Sequence, residues 1–134
     1  MLIETDVLLA AINPRDPARR YALKMLDQGN LRLSPYSLLE IHLLNRAEKL
    51  SIQNFKAFAD DLSALFEMQK ITTLSDRPEY HAQASTLESR FKLTFFDSLH
   101  AAVAKVEKEI IVSFDRSYDR ISGTGVKRID PREL

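Results

Sequence analysis

Short apolar segments alternate along the chain with longer amphipathic segments, and this order predicts alternating strands and helices. Short apolar segments bounded by polar or turn-forming residues are typical of buried strands. Such segments occur at residues 1–6, 31–33, 71–74, 109–113 and 126–129. Amphipathic segments lie between them and predict helices at residues 7–12, 17–28, 36–50, 52–68, 77–91, 95–108 and 115–121, the first and last being little more than a turn.

Capping residues place the predicted helix starts. Asp16-Pro17, Ser34-Pro35 and Ser51 precede three of the amphipathic segments. Asp and Ser are favoured caps, and proline suits the first helical turn. The resulting order of short apolar strands and helices predicts an α/β fold, a three-layer α/β/α sandwich around a mostly parallel central sheet of four or five strands.

Composition narrows the class of protein. The 134 residues are expected to form a single domain, residues 1–134. Nineteen basic and nineteen acidic side chains cancel, so the net charge does not by itself indicate a nucleic-acid partner. No segment approaches the roughly 20 apolar residues that span a bilayer. With no basic and apolar leader before the first strand, a cytoplasmic protein without membrane contact is expected.

Two acids stand at the ends of elements within residues 93–115. Asp97 falls in the first turn of the predicted helix 95–108, where the helix dipole favours a carboxylate. Ala101 and Ala104 share its face of the helix, so another group can approach this carboxylate closely. Asp115 follows the strand 109–113, at the carboxyl end where open α/β sheets bind their ligands.

Two further acids, Asp6 and Glu40, are candidates for the same site. Asp6 lies at the junction of the first strand and the first helix, where its alternative role is that of an N-cap. Glu40 interrupts an apolar stripe of the helix 36–50, and its alternatives are a salt bridge or an exposed position at the boundary of the stripe. Glu4 and Asp119 are additional acids that could join the same site.

The four main acids are expected to converge, because the carboxyl ends of parallel strands share one edge of a sheet. Two carboxylates about 4 Å apart repel by about 4 kcal/mol at an effective dielectric constant of about 20. Such a cluster needs protons or a cation. The chain has no cysteine, and oxygen ligands favour Mg²⁺ or Mn²⁺. One or two such ions suit in-line displacement at phosphorus.

These segments resemble the acidic motifs of the PIN domain family. The similar segments are Ile3–Leu8 around Asp6, Ser37–Ile41 around Glu40, Phe96–Ala102 around Asp97 and Ser113–Tyr118 around Asp115. The resemblance covers essentially the whole chain, whose length matches the VapC-type toxins. It implies a Mg²⁺- or Mn²⁺-dependent endoribonuclease with Asp6, Glu40, Asp97 and Asp115 as catalytic metal ligands. It also implies an RNA substrate, a homodimer and, for toxins, a small antitoxin partner.

The chain departs from the family pattern in its first motif. The family usually places Thr or Ser after its first Asp, whereas Val7 follows Asp6 and Thr5 precedes it. Ser113 stands where Thr is commoner. Large aromatic residues on successive helices add to the expectation of a homodimer: Phe55, Phe58, Phe66 and Phe91.

Two alternative functions fit the same architecture. The first is a non-catalytic PIN-like module that binds RNA or a protein. The complete set of four acids argues against it, because a module that does not cut has no need of mutually repelling carboxylates. The second is another α/β phosphotransfer domain, such as a receiver or a haloacid-dehalogenase-like hydrolase. That class expects paired acids directly after the first strand, which Glu4-Thr5-Asp6 imitates only loosely.

Overall fold

A computed structural model describes all 134 residues of the chain. Its strands are β1 Leu2–Ile3, β2 Arg32–Leu33, β3 Thr72–Thr73, β4 Ile111–Val112 and β5 Arg128–Ile129. Its α-helices are α1 Thr5–Ile12, α2 Arg19–Leu26, α3 Ser37–Arg46, α4 Phe55–Gln69, α5 Pro78–Phe91 and α6 Phe95–Glu107. Two 3₁₀ helices, Arg116–Thr124 and Pro131–Glu133, lie on either side of β5.

The strands form one fully parallel sheet in the order β3-β2-β1-β4-β5. β1 is central, with Leu2 opposite Arg32 of β2 on one side and Ile111 of β4 on the other. Because the strands run in one direction, their carboxyl ends meet at a single side of the sheet, which we call the carboxyl edge. The predicted parallel α/β/α sandwich is confirmed, with five strands.

Each face of the sheet has its own hydrophobic core. Leu2 and Ile111 belong to the core shared with α5 and α6, whereas Ile3 and Val112 belong to the core shared with α1 and α2. This alternation is the two-residue period of a strand. The central strands are apolar on both faces because helices cover both, as parallel sheets require.

The junction after β1 differs from its prediction. The strand ends at Ile3 rather than at residue 6, and α1 begins at Thr5 rather than at residue 7. Glu4 caps α1, since its Oε1 accepts a hydrogen bond from the Thr5 N–H at 2.8 Å. A carboxylate that satisfies the first free N–H groups starts the helix early. Asp6 therefore lies in the first turn of α1 and is neither the end of a strand nor the N-cap.

The three other predicted caps, Asp16, Ser34 and Ser51, do not cap their helices. Asp16 and Ser34 form local turns before the helix starts. The Oδ1 of Asp16 accepts from the Ala18 N–H at 2.8 Å, and α2 begins only after this turn. Likewise, Ser34 Oγ accepts from the Tyr36 N–H at 3.2 Å before α3 begins. At α4 the cap is Asn54 and not Ser51. Asp16 and Ser34 accept from the backbone two residues on, so they compete with the helix instead of starting it.

None of the helices combines the length and the apolar character needed to cross a bilayer.

Candidate metal centre

Asp6 connects α1 to the end of β4. Its Oδ2 accepts hydrogen bonds from Ser113 Oγ and from the Phe114 N–H, both at 2.8 Å. Its other carboxylate oxygen, Oδ1, is buried and has no hydrogen-bond partner. Buried polar atoms are normally satisfied, so this oxygen is free to bind a ligand at the carboxyl edge.

Glu4 and Glu40 approach each other from the β1–α1 junction and from α3, with His100 of α6 between them. His100 Nε2 lies 2.9 Å from Glu40 Oε1 and 3.6 Å from Glu4 Oε1. Three ligand atoms, one from each of these side chains, all lie within 4.8 Å of one another. Glu4 is only 6% exposed and His100 is fully buried. Two carboxylates and one imidazole therefore share a space largely shielded from water.

Asp97 and Asp115 complete the acidic group on the side of α6. Asp97 lies in the first turn of α6, and its Oδ1 accepts a hydrogen bond from the Tyr118 hydroxyl at 3.2 Å. Asp115 caps the 3₁₀ helix Arg116–Thr124 by accepting from the Ser117 N–H at 2.8 Å. Asp97 is half-buried and Asp115 is exposed, so Asp115 marks the outer rim of the site.

Burial and mutual repulsion raise the pKa values of the inner carboxyls. Burial, followed by the charges of Asp6 and Glu40, raises the pKa of Glu4 well above its ordinary value. Burial also raises the pKa of Asp6, although the hydrogen bond from Ser113 acts in the opposite direction. Burial raises the pKa of Asp97, the hydrogen bond from Thr94 opposes this shift, and the charge of Asp115 adds to it. In the absence of a cation, burial and repulsion thus favour the protonated form of these inner carboxyls.

The pKa of Tyr118 is affected by several of these acids, which therefore lie close to its hydroxyl group. Burial, and then the charges of nearby carboxylates, raise the pKa of its phenol well above the ordinary value. The contributing carboxylates belong to Glu4, Asp97, Asp6 and Glu40. These carboxylates thus lie near one hydroxyl group, although they come from the β1–α1 junction, α3 and α6.

No lysine or arginine forms an ion pair with these acids. Among all the ion pairs of the chain, only those of His100 reach Glu4 and Glu40. Asp119 is directed elsewhere, since it accepts from Arg128 Nε at 2.9 Å. The donor set consists of carboxylate oxygens, one imidazole nitrogen and the unpartnered Oδ1 of Asp6. These donors fit a divalent cation, which would offset the excess charge.

The structure places the four predicted ligands around one edge of the sheet, in two groups. Asp6 and Glu40 flank Glu4, whereas Asp97 and Asp115 lie on the Tyr118 side. The sequence indicates Glu4 only as an additional acid and assigns no role to His100. The sequence signal for His100 is its spacing from Asp97: residues three apart on a helix are neighbours on its surface.

A cleft of about 720 Å³ opens beside Asp6. Its walls come from α1, from the start of α4 and from the segments that follow α1 and α3. Arg15 is the basic residue that lines it, and Leu9, Ile12 and Phe58 contribute apolar surface. Of the acids at the candidate metal centre, Asp6 is the one that lines this cleft.

Comparison with known proteins places this geometry in context. A family model described as PIN domain matches residues 1–123, which include all the acids described above. No curated protein sequence matches the chain.

Solved structures share the fold over nearly the full length. A toxin–antitoxin complex from Klebsiella pneumoniae has a TM-score of 0.69 at 15% identity, covering 97% of this chain and 96% of that one. FitAcB from Neisseria gonorrhoeae has a TM-score of 0.71 at 19% identity, covering 99% of both chains. VapBC2 from Rickettsia felis, bound to a DNA fragment from its promoter, has a TM-score of 0.70 at 15% identity and covers 96% of both. The structural similarity establishes a common fold, and at identities this low it establishes the fold alone.

Proposed function

The chain belongs to the PIN domain family, and we propose that it is a Mg²⁺- or Mn²⁺-dependent endoribonuclease. The observation that supports this proposal best is the unneutralised group of carboxylates at the carboxyl edge. Its inner members have raised pKa values and no basic partner other than His100. Perturbed acids that converge beside a cleft are typical of functional sites.

We propose Asp6, Glu40, Asp97 and Asp115 as the metal ligands, with Glu4 as a fifth carboxylate beside them. Asp6 would bind through the free Oδ1, because Oδ2 is already held by Ser113 and Phe114. Asp97 is oriented by the Tyr118 hydroxyl. When bound, a divalent cation supplies activation of a water molecule and stabilisation of the leaving oxygen.

The residues of the chain prepare this chemistry in two ways. Hydrogen bonds from Ser113 and Tyr118 fix the orientation of Asp6 and Asp97 before substrate arrives, which lowers the cost of reaching the reactive geometry. The cleft beside Asp6 would receive the RNA, with the guanidinium of Arg15 facing a backbone phosphate. We propose RNA as the substrate on the strength of this cleft and of the family.

We further propose that the protein is the toxin of a toxin–antitoxin pair and acts in the cytoplasm. The support is the fold shared with a toxin–antitoxin complex and with VapBC2. A small antitoxin would be the protein partner. Co-expression with the product of the adjacent reading frame should then suppress cleavage, and cleavage that persists with every adjacent product would contradict the toxin assignment.

A homodimer is the proposed assembly. Leu38, Leu39 and Leu43 of α3 are 43%, 54% and 46% exposed, and clustered apolar side chains of this kind favour contact with another protein. We expect sedimentation at micromolar concentration to give twice the chain mass of 15.3 kDa. A single species at the mass of one chain would contradict the dimer.

The nuclease assignment is tested by cleavage of a labelled single-stranded RNA. Cleavage should require Mg²⁺ or Mn²⁺, stop with chelator and resume when the ion is restored. Glu40→Gln should abolish it, whereas the matched variant Glu48→Gln, at an exposed acid just after α3, should cleave normally. Binding of RNA without cleavage under any of these conditions would instead support the non-catalytic module.

A further inference from the structure

We propose that His100 is itself a metal ligand, so that the divalent cation bound by Glu40 is also bound by Glu4 and by His100. The site would then prefer first-row transition ions, Mn²⁺ included, over Mg²⁺. This inference rests on the proposed function, and it changes the expected ligand set from oxygen alone to oxygen and nitrogen.

The separations of the donor atoms support a shared ion. The Nε2 of His100 is 2.9 Å from Glu40 Oε1 and 3.6 Å from Glu4 Oε1. Atoms that bind one ion at about 2.1 Å lie about 3.0 to 3.5 Å apart in octahedral or tetrahedral geometry. The three donors come from the β1–α1 junction, α3 and α6, so the fold brings them together independently of local sequence.

The burial of the imidazole supports a function for it. His100 has no exposed surface, and its Nδ1 is buried without a hydrogen-bond partner. A buried polar atom without a partner costs folding free energy that an aliphatic side chain of similar size would not. The only ionic partners of the ring are Glu4 and Glu40, both reached through Nε2. The buried imidazole thus presents Nε2, the nitrogen that a shared cation would use, to the two carboxylates.

The position of the ring is fixed by its surroundings. The Phe96 ring stacks on it with centroids 6.3 Å apart and planes 28° apart, and Thr5 Oγ1 lies 3.4 Å from Nε2. Coordination uses the lone pair of Nε2, so the ring proton would then lie on Nδ1.

A nitrogen donor changes which ions bind well. Mg²⁺ is a hard cation that binds carboxylate and water oxygens, whereas imidazole nitrogen binds well to first-row transition ions. Within that series, affinity rises from Mn²⁺ towards Co²⁺ and Ni²⁺. The full-length protein should therefore bind Mn²⁺ more tightly than Mg²⁺, and Co²⁺ more tightly still.

Electron spin-echo measurements on the Mn²⁺ complex test the ligand directly. The wild-type protein should show modulation from a directly bound ¹⁴N nucleus, and labelling with ¹⁵N-histidine should replace those frequencies. The chain has three histidines, which allows matched controls. His42→Gln and His81→Gln, at exposed positions, should keep the nitrogen signal, and His100→Gln should lose it.

Calorimetry gives a second, independent measurement. His100→Gln should weaken Mn²⁺ binding by about 10- to 100-fold, while Mg²⁺ binding should change by less than about threefold. Circular dichroism checks that the variant is folded, and the wild-type spin-echo result stands even if it is not.

The outcomes separate this inference from the proposed function. Tight Mn²⁺ binding by the wild-type protein without any ¹⁴N coupling would overturn the role of His100 and leave the carboxylate metal site in place. Failure to bind either ion would overturn both. Equal loss of Mn²⁺ and Mg²⁺ affinity in a folded His100→Gln protein would also overturn the proposed selectivity.

Discussion

Two groups of carboxylates lie at the carboxyl edge of the same sheet, and they differ in what neutralises them. At the end of β5, Asp130 accepts from Arg132 and Arg128, and Asp119 accepts from Arg128. The hydrogen bonds from Arg132 lower the pKa of Asp130 below its ordinary value, and those from Arg128 do the same to the pKa of Asp119. At the candidate metal centre, no arginine forms an ion pair with the carboxylates, and the pKa values of Glu4, Asp6 and Asp97 are shifted upwards instead.

The difference separates acids that are paired within the chain from the acids that we propose as a metal site. The group at β5 is complete within the chain, so its charges stabilise the fold. The acids of the candidate metal centre have no basic partner other than His100, and a bound cation would offset their charge. Arg128 connects the two groups, because its guanidinium also donates to the Ser113 carbonyl at 2.9 Å. The paired acids thereby help to hold the residue that orients Asp6.

The largest expected contrast between the two groups is in RNA cleavage. Asp97→Asn keeps the size of the side chain but removes the charge that a hard cation requires. Cleavage should fall by more than about 100-fold, since changes outside the direct ligands already cost about 10- to 100-fold. Asp119→Asn, in the arginine-paired group, should leave cleavage within about twofold of wild type.

Initial rates on one labelled RNA, with thermal melting of both variants, provide the measurement. Undiminished cleavage by folded Asp97→Asn would remove Asp97 from the proposed ligand set and weaken the nuclease assignment as a whole.

Cation binding should stabilise the protein through the carboxylates of the candidate metal centre and not through the arginine-paired acids at the end of β5. Mn²⁺ at about 100 times its Kd should raise the free energy of unfolding by about 2.7 kcal/mol, which corresponds to a Tm increase on the order of 10 °C for a chain of this length. Glu40→Gln should lose most of this increase, whereas Asp130→Asn should keep it. Scanning calorimetry with and without Mn²⁺ measures the effect, and an equal increase in both variants would show that the ion binds elsewhere.

Removing a structural acid should destabilise the fold. Asp130 is only 4% exposed, and Asp130→Asn removes its charge from two arginines, which should cost about 2 kcal/mol at pH 7. The folded-state pKa of Asp130 is depressed, so its contribution is present above the unfolded value of about 3.9 and is lost as the pH falls towards the folded value. Urea unfolding at pH 7 and pH 3 should show the gap between wild type and variant closing. A gap that stays constant would mean that the ion pairs do not cause it.

Removing an acid of the candidate metal centre should change the free energy of unfolding by a smaller amount and in the opposite direction. In metal-free protein, Glu4→Gln should raise the free energy of unfolding on the order of 1 kcal/mol at pH 8, because Glu4 faces Asp6, Glu40, His100 and Tyr118 without a permanently cationic partner. The folded-state pKa of Glu4 is raised, so the folded protein binds more protons and wild type loses stability as the pH rises from the unfolded value of about 4.3 towards the folded one.

Denaturant unfolding of both proteins between pH 5 and pH 8 measures this, with chelator present. A variant less stable than wild type at pH 8 would show that the helix-capping bond of Glu4 outweighs the repulsion.

Local patterns were enough to predict much of the fold. The order of strands and helices, the parallel sheet and the layer architecture follow from short apolar runs and amphipathic periods, because those signals reflect burial that neighbouring residues share. Asp6, Asp97 and Asp115 were likewise visible as charges at the ends of predicted elements, and Glu40 as a charge within an apolar stripe. That residues 1–134 form one independent domain stays a prediction, as do the metal-ligand roles of these four acids.

The three-dimensional arrangement alone decided which groups face one another. In the sequence, Glu4 is only an additional acid two residues before Asp6. In the structure, β1 ends at Ile3 and the Glu4 carboxylate is buried beside His100, which lies on a helix far along the chain. Arg128 draws Asp119 away from the site for the same reason. Charge pairing between distant elements depends on strand order and helix packing, which no short segment encodes. The sequence by itself thus determined the elements and the supply of acids, and the tertiary structure determined which acids have a counter-charge and which do not.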